Sequence, residues 1–212
     1  MTSSVVSSLL AFAAVAALLT ITPGLDTMVV LRSALLNGRR AGMLSGLGIC
    51  LGVLLWGVAS ALGVSALLAT SRVAFDALRL AGAAYLVWIG ARALWTARRE
   101  RVAIEIDSRS PPPAPAAAFR IGLFTNLLNP KVGIFYVTLL PQFVPLGAPV
   151  LPLTLGMAAI HAAEGIVWFA VIVLLLARIR GWLLNPTVSR RLNQLSGVTF
   201  IGFGLRIAAE PF

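Results

Sequence analysis

The chain has one cysteine, Cys50, one histidine, His161, and one lysine, Lys131. A single thiol excludes an intrachain disulfide, and one thiol with one imidazole excludes a Cys/His zinc cluster and a bis-His haem site. No metal and no cofactor are expected. Charge is also scarce: 11% of the 212 residues are Asp, Glu, Lys or Arg, and only 7 are acidic against 17 basic. The rest is 59% hydrophobic, with a mean hydropathy of +0.95. Soluble domains keep roughly a quarter of their residues charged, so a soluble enzyme with an ordinary core is excluded. At about 20 apolar residues per span, this stock supplies about six spans and little else.

Apolar segments run over 5–36 with an interruption, 42–69, 77–97, 119–144, 151–177 and 192–209. The first is too long for one straight span, so it must tilt, break or extend beyond the bilayer. The N-terminal stretch has no positive region and runs into Thr22-Pro23-Gly24 rather than a small-residue cleavage site, so it reads as a retained span. The net charge of +10 would suggest nucleic acid in a soluble chain, but here the charges sort by connection. Arg32, Arg39 and Arg40 lie between segments one and two. Arg98, Arg99, Arg101, Arg109 and Arg120 lie between three and four, and Arg178, Arg180, Arg190 and Arg191 between five and six. Short cytoplasmic loops retain Arg and Lys, which puts these connections in the cytoplasm and both termini outside. Nucleic acid is not an expected partner.

The connection over 98–118 ends in Ser110-Pro-Pro-Pro-Ala-Pro-Ala-Ala-Ala118 and reads as a polyproline-biased linker too short to hide a catalytic domain. It divides the chain into 1–97 and 119–212, three segments each. Thr22-Pro23-Gly24 and Asn129-Pro130-Lys131 occupy similar places in segments one and four. Leu80-Ala-Gly82, Tyr85-Leu86 and Gly90-Ala-Arg92 return as Leu195-Ser-Gly197, Phe200-Ile201 and Gly204-Leu-Arg206. An odd number of spans per half makes the second copy inverted. The expected fold is an all-α membrane protein of six transmembrane helices in two inverted three-helix repeats, with helices one and four broken at Pro-Gly and Asn-Pro.

Pro23 removes a backbone donor and Gly24 weakens the helix further, so backbone groups are freed at mid-depth. A bilayer tolerates such groups only when they are buried in protein or face a wet cavity. Asp26 and Thr27 follow at once, and the pair reads as a binding point for a polar solute or proton. The alternative is a simple kink with Asp26 paired to Arg32 or the loop arginines. Asn126, Asn129, Pro130 and Lys131 form a second cluster. A charge at the bilayer centre costs roughly 2.5 to 3.5 kcal/mol even on the lenient insertion scale, so Lys131 needs a partner, and Asp26 and Glu164 are the candidates. His161 and Glu164, three residues apart, share a helix face and form a candidate proton relay, the alternative being structural hydrogen bonds to a neighbouring helix. Gly42-x-x-x-Gly46 and Gly48-x-x-x-Gly52 permit close helix packing, within a subunit or in a homodimer. The five tryptophans, Trp56 among them, read as interfacial anchors or core.

Thr22-Pro-Gly-Leu-Asp26, Arg39-Arg40-Ala-Gly42, Leu80 to Gly90, Gly122-Leu-Phe-Thr-Asn-Leu-Leu-Asn-Pro-Lys131 and Leu140-Pro-Gln-Phe143 together resemble the LysE/RhtB family of amino-acid exporters. The resemblance spans nearly the whole chain. It implies a six-helix transporter of the bacterial inner membrane that exports amino acids or related metabolites, coupled to the proton motive force. The family's Pro-Gly-Pro-Asp pattern becomes Pro23-Gly24-Leu25-Asp26 here. Positions that in many members are polar and histidine are Val53 and Trp56, which favours a bulkier or more apolar substrate. Thiol electron carriers of related fold are excluded by the lone Cys50, and divalent metal exporters are disfavoured by the lone His161. An intramembrane enzyme on a lipid-linked substrate would need clustered catalytic groups at one interface.

The expected transport site is therefore Thr22, Pro23, Gly24, Asp26, Thr27, Asn126, Asn129, Pro130 and Lys131. The expected proton-coupling residues are Asp26, Glu164 and His161, and the expected partners are a small zwitterion, protons and the lipid bilayer.

Overall fold

A computed structural model describes residues 2–70, 72–96, 115–145, 147–183 and 185–209. Eight α-helices are seen in these residues, with no strand: α1 (Thr2–Ile21), α2 (Leu25–Thr70), α3 (Arg72–Thr96), α4 (Pro115–Leu127), α5 (Pro130–Ile134), α6 (Val150–Leu174), α7 (Leu176–Leu183) and α8 (Pro186–Ala209). A π turn at Phe135–Leu139 and a 3-10 turn at Leu140–Phe143 extend α5. Most of the linker lies outside the described residues. Its last residues, Pro115 to Ala118, are instead the first turn of α4, where a proline costs no hydrogen bond.

Proline sets several of the boundaries. Pro23 and Gly24 end α1, and Asn129 caps α5 with Pro130 at its first position. Asn185 caps α8 through Oδ1, which accepts from Thr187 N at 2.9 Å. This Asn-Pro pair starts α8 at Pro186, six residues before the apolar run at Leu192 that alone suggests a helix. By length and composition, α6 and a stretch within Leu25–Gly63 are each apolar enough to cross a membrane. Ala116–Leu127 and Pro130–Phe143, bent by 51° at their break, are together long and apolar enough for a broken span or a re-entrant loop. Val5–Ile21 and Leu80–Trp95 are shorter apolar helices.

α2 is not one rod. Gly38 has φ 83° and ψ 172°, a region open only to glycine. Ser45 Oγ donates to Ser33 Oγ at 2.9 Å, although residues 12 apart on a straight helix lie about 18 Å from each other. The chain therefore doubles back at Gly38 into two arms, 25–37 and 39–70. The expected gap between segments one and two shrinks to a single residue.

The long arm of α2 packs on α6 along a seam of small residues. A methyl group on Gly42 would lie 2.9 Å from Val173 Cγ2, one on Gly46 2.9 Å from Phe169 Cβ, and one on Gly165 3.1 Å from Cys50 Sγ. Residue numbers rise on one helix as they fall on the other, so the pair is antiparallel. α3 and α8 are antiparallel as well: a methyl on Gly90 would meet the Gly197 carbonyl oxygen at 2.6 Å, and one on Gly204 the Ala83 carbonyl oxygen at 2.7 Å. The long arm runs parallel to α4, with Gly48 against Phe119 and Gly52 against Asn126. Between these pairs, Phe12, Phe135, Phe143 and Phe203 form a chain of ring contacts at 5.5 to 5.8 Å.

Candidate functional site

The two breaks meet. Pro23 has no N–H to give, so the carbonyl four residues earlier, that of Leu19, loses its helical partner. Lys131 Nζ donates to this carbonyl at 3.3 Å, and a methyl group on Gly24 would lie 4.0 Å from the same ammonium. Pro130 likewise deprives the carbonyl of Asn126. Trp56 Nε1 donates to that oxygen at 3.4 Å, and the Asn129 N–H also turns to it at 3.0 Å. The donor that repairs the first break thus comes from the second, and the repair of the second comes from α2. Freed backbone groups at this depth must be satisfied inside the protein, and here side chains satisfy them.

Asp26 stands in the first turn of α2, where the helix dipole favours a carboxylate. Its Oδ2 accepts from Asn126 Nδ2 at 2.8 Å and its Oδ1 from Asn129 Nδ2 at 3.2 Å. Asn129 does double duty, since its Oδ1 accepts from the Lys131 N–H at 3.1 Å and caps α5. Thr22 Oγ1 bonds back to the Leu18 carbonyl at 2.6 Å and lies in hydrogen-bond contact with Ser196 of α8.

These groups surround a central cavity of about 40 Å³, lined among others by Thr22, Gly24, Asp26, Thr27, Asn126, Asn129, Lys131 and His161. That is space for a few waters. A vestibule of about 330 Å³ lies against the same breaks and adds Pro23, Pro130 and residues of α3 and α8. All nine transport-site residues expected from sequence therefore line the central cavity or the adjoining vestibule. His161 also reaches the central cavity, where its Nδ1 lies 3.1 Å from the Tyr136 hydroxyl.

Glu164 does not join them. It lines a separate apolar groove of about 500 Å³ between α1 and α6, together with Thr20 and Trp168. Among the described residues, Glu164 Oε2, Thr20 Oγ1 and Trp168 Nε1 are buried there without a hydrogen-bond partner. Three residues turn a helix by about 300°, and the two side chains fall on either flank of α6. Among the described residues, no three His, Cys, Asp or Glu side chains gather into a metal site. Trp56, half-buried against the core, bonds the Asn126 carbonyl and lays its ring edge against Gly133. No spacing in the sequence announces this, nor the contacts of Tyr136 and Ser196.

A break at Pro-Gly facing a break at Asn-Pro, clasped by one carboxylate and one ammonium, is the arrangement the sequence motifs anticipated. The profile of LysE type translocators matches residues 17–210. The chain belongs to the LysE family of translocators. It is a membrane transporter and not an enzyme. Among its relatives, the uncharacterized membrane protein YrhP of Bacillus subtilis is 30% identical over 204 residues, 94% of this chain and 97% of the relative. An uncharacterized membrane protein of Vibrio cholerae is 31% identical, over 94% of this chain and 95% of the relative. A homoserine/homoserine lactone efflux protein of Salmonella typhi is 30% identical, over 91% of both chains. No solved structure matches.

Proposed function

We propose that this LysE-family chain exports amino acids or related small metabolites from the cytoplasm across the bacterial inner membrane, in exchange for entering protons. The observation that carries the reading is the Asp26 carboxylate held by amides from both sides of the Asn-Pro break, with Lys131 reaching back to the Pro-Gly break. A carboxylate in an apolar span is costly, and one that is kept there marks a path for a solute or a proton. The relative named for homoserine and homoserine lactone efflux supports cargo of amino-acid size. In this reading Lys131 attracts the substrate carboxylate, and Asp26 alternately meets the substrate ammonium and a proton. His161 takes part from the cavity wall, and Glu164 acts from its lateral groove in a secondary role.

The antiparallel pairs α2/α6 and α3/α8 support two inverted three-helix repeats, over 1–97 and 119–212. The Gly90 to Gly197 contact has its counterpart in Gly204 to Ala83, as a two-fold axis in the membrane plane requires. Rocking of one repeat on the other gives alternating access, with the arginine-rich connections cytoplasmic. Cells or inverted vesicles carrying Asp26→Asn are expected to lose proton-driven efflux while inserting the protein normally. Undiminished pH-dependent efflux would overturn the assignment. Glu164→Gln is expected to retain pH-driven efflux, and its complete loss would make Glu164 the principal carrier instead.

A further inference from the structure

We propose that the lateral groove between α1 and α6 is a second binding site, for lipophilic amines that carry a hydrogen-bond acceptor beside the nitrogen and reach it from the bilayer. The site is separate from the breaks and needs no part of the exporter reading. At about 500 Å³ the groove has the volume of an ordinary small-molecule pocket. Its walls are apolar, with Ile21 on α1 and Ile160, Val167 and Val171 on α6. Ala163 and Val167 in that wall are exposed, on a helix apolar enough to cross a membrane, so the groove opens toward lipid. Thr20 lines the central cavity as well, and the two spaces share a wall.

Three polar atoms interrupt these walls, and their chemistry defines the ligand. Glu164 Oε2 and Thr20 Oγ1 are buried acceptors and Trp168 Nε1 a buried donor, each lacking a hydrogen-bond partner among the described residues. Such a group costs its full desolvation, and a carboxylate inside a span costs most. A lipid tail, with neither donor nor charge, relieves none of the three. Glu164 and Trp168 are four residues apart, so they stand one turn apart on one face of α6, their β-carbons about 5 to 6 Å from each other. The Trp168 ring is held by an edge contact with Trp182, centroids 6.2 Å apart and planes at 74°. An acceptor of negative charge and a fixed N–H donor thus stand side by side. An ammonium gives Glu164 a charge-assisted bond and has protons to spare for Thr20. An oxygen on the neighbouring carbon of the same ligand accepts from the Trp168 N–H, and an apolar body fills the remaining space. A zwitterion suits the groove poorly, because its carboxylate would stand beside that of Glu164 in a medium of low dielectric. The ligand class is therefore an amino compound whose carboxyl group is blocked or absent, such as an amino amide, an amino ester or an amino alcohol.

The test is equilibrium binding to the purified full-length protein in nanodiscs, with the signal of empty nanodiscs subtracted. Phenylalaninamide, phenethylamine and 3-phenylpropanamide are the probes, and they share one apolar body. Phenylalaninamide is expected to bind about threefold tighter than phenethylamine, which lacks the acceptor, and at least about tenfold tighter than 3-phenylpropanamide, which lacks the ammonium. Glu164→Gln keeps the size of the side chain and is expected to weaken both amines by about tenfold. Trp168→Phe keeps a ring and removes the N–H, and is expected to bring phenylalaninamide down to the level of phenethylamine. Excess phenylalanine is not expected to displace phenylalaninamide. Amine binding unchanged by Glu164→Gln, abolished instead by Asp26→Asn, or competed by phenylalanine would overturn the groove assignment whatever the efflux result. The expected binding pattern in a wild-type chain that shows no efflux would uphold the groove and strike the exporter reading alone.

Discussion

At the scale of single residues, the site is organised by what two prolines withhold. Leu19 and Asn126 each carry a carbonyl whose helical donor is missing, and Lys131 and Trp56 supply the replacements. Pro23→Ala restores the missing N–H and lets α1 run on toward α2. It is expected to raise thermal stability by about 1 kcal/mol and to depress transport, as a shift in melting midpoint and an efflux rate would show. Trp56→Phe keeps the ring but removes its N–H, and is expected to cost about 1 kcal/mol or less, because the Asn129 N–H still serves the same oxygen. Asp26, Asn126, Asn129 and Lys131 were legible in the sequence because polar groups are rare in apolar spans and stand out by cost. Trp56 was not legible, since the direction of one indole N–H is settled by packing between α2 and the break. His161 and Glu164 share a helical spacing, yet the neighbours of α6 send one to the cavity and the other to the groove.

At the scale of elements, glycine does two different jobs that a test can separate. Gly38 makes the turn within α2, and a methyl group there would meet no atom within 4 Å. Gly38→Ala is nonetheless expected to cost about 1 to 3 kcal/mol, all of it backbone strain. Gly202 in α8 also has open space around it but no left-handed φ, so Gly202→Ala is expected to be neutral or stabilising by up to about 1 kcal/mol. Comparing the two melting midpoints isolates the conformational effect from contact. Gly46→Leu tests the other role, for it drives a branched side chain into Phe169 and is expected to cost about 1 to 3 kcal/mol or to block assembly of α2 on α6. The helix breaks were readable because proline and glycine act locally. The one-residue reversal at Gly38 was harder to read, since the arginines beside it look like a loop. The polar first turn of α8 was hidden for the same reason, as an apolar run says nothing of the capped turn that precedes it.

At the scale of the whole molecule, the site is unequally exposed. The vestibule is lined by the two breaks together with residues of α3 and α8, while Phe12, Phe135, Phe143 and Phe203 fill the space among α1, the turns after α5 and α8. Under the proposed orientation the vestibule faces the cytoplasm and the rings close the outer side. Alkaline phosphatase fused after Phe212 is then expected to be active and a fluorescent protein fused there dark, and the opposite pattern would invert the orientation.

The clasp at the breaks has one more consequence. Asp26 and Leu19 lie ahead of the linker, and Asn126, Asn129 and Lys131 lie beyond it. Parting the two sides with nothing to replace these bonds would strand a carboxylate and an ammonium in a medium that cannot solvate them. On the proposed reading, cargo and proton each take the place of a lost partner, the groups that recognise cargo are also the latch, and an empty carrier stays shut by electrostatics rather than by a door, so that a cell's amino-acid pool does not drain through an idle exporter.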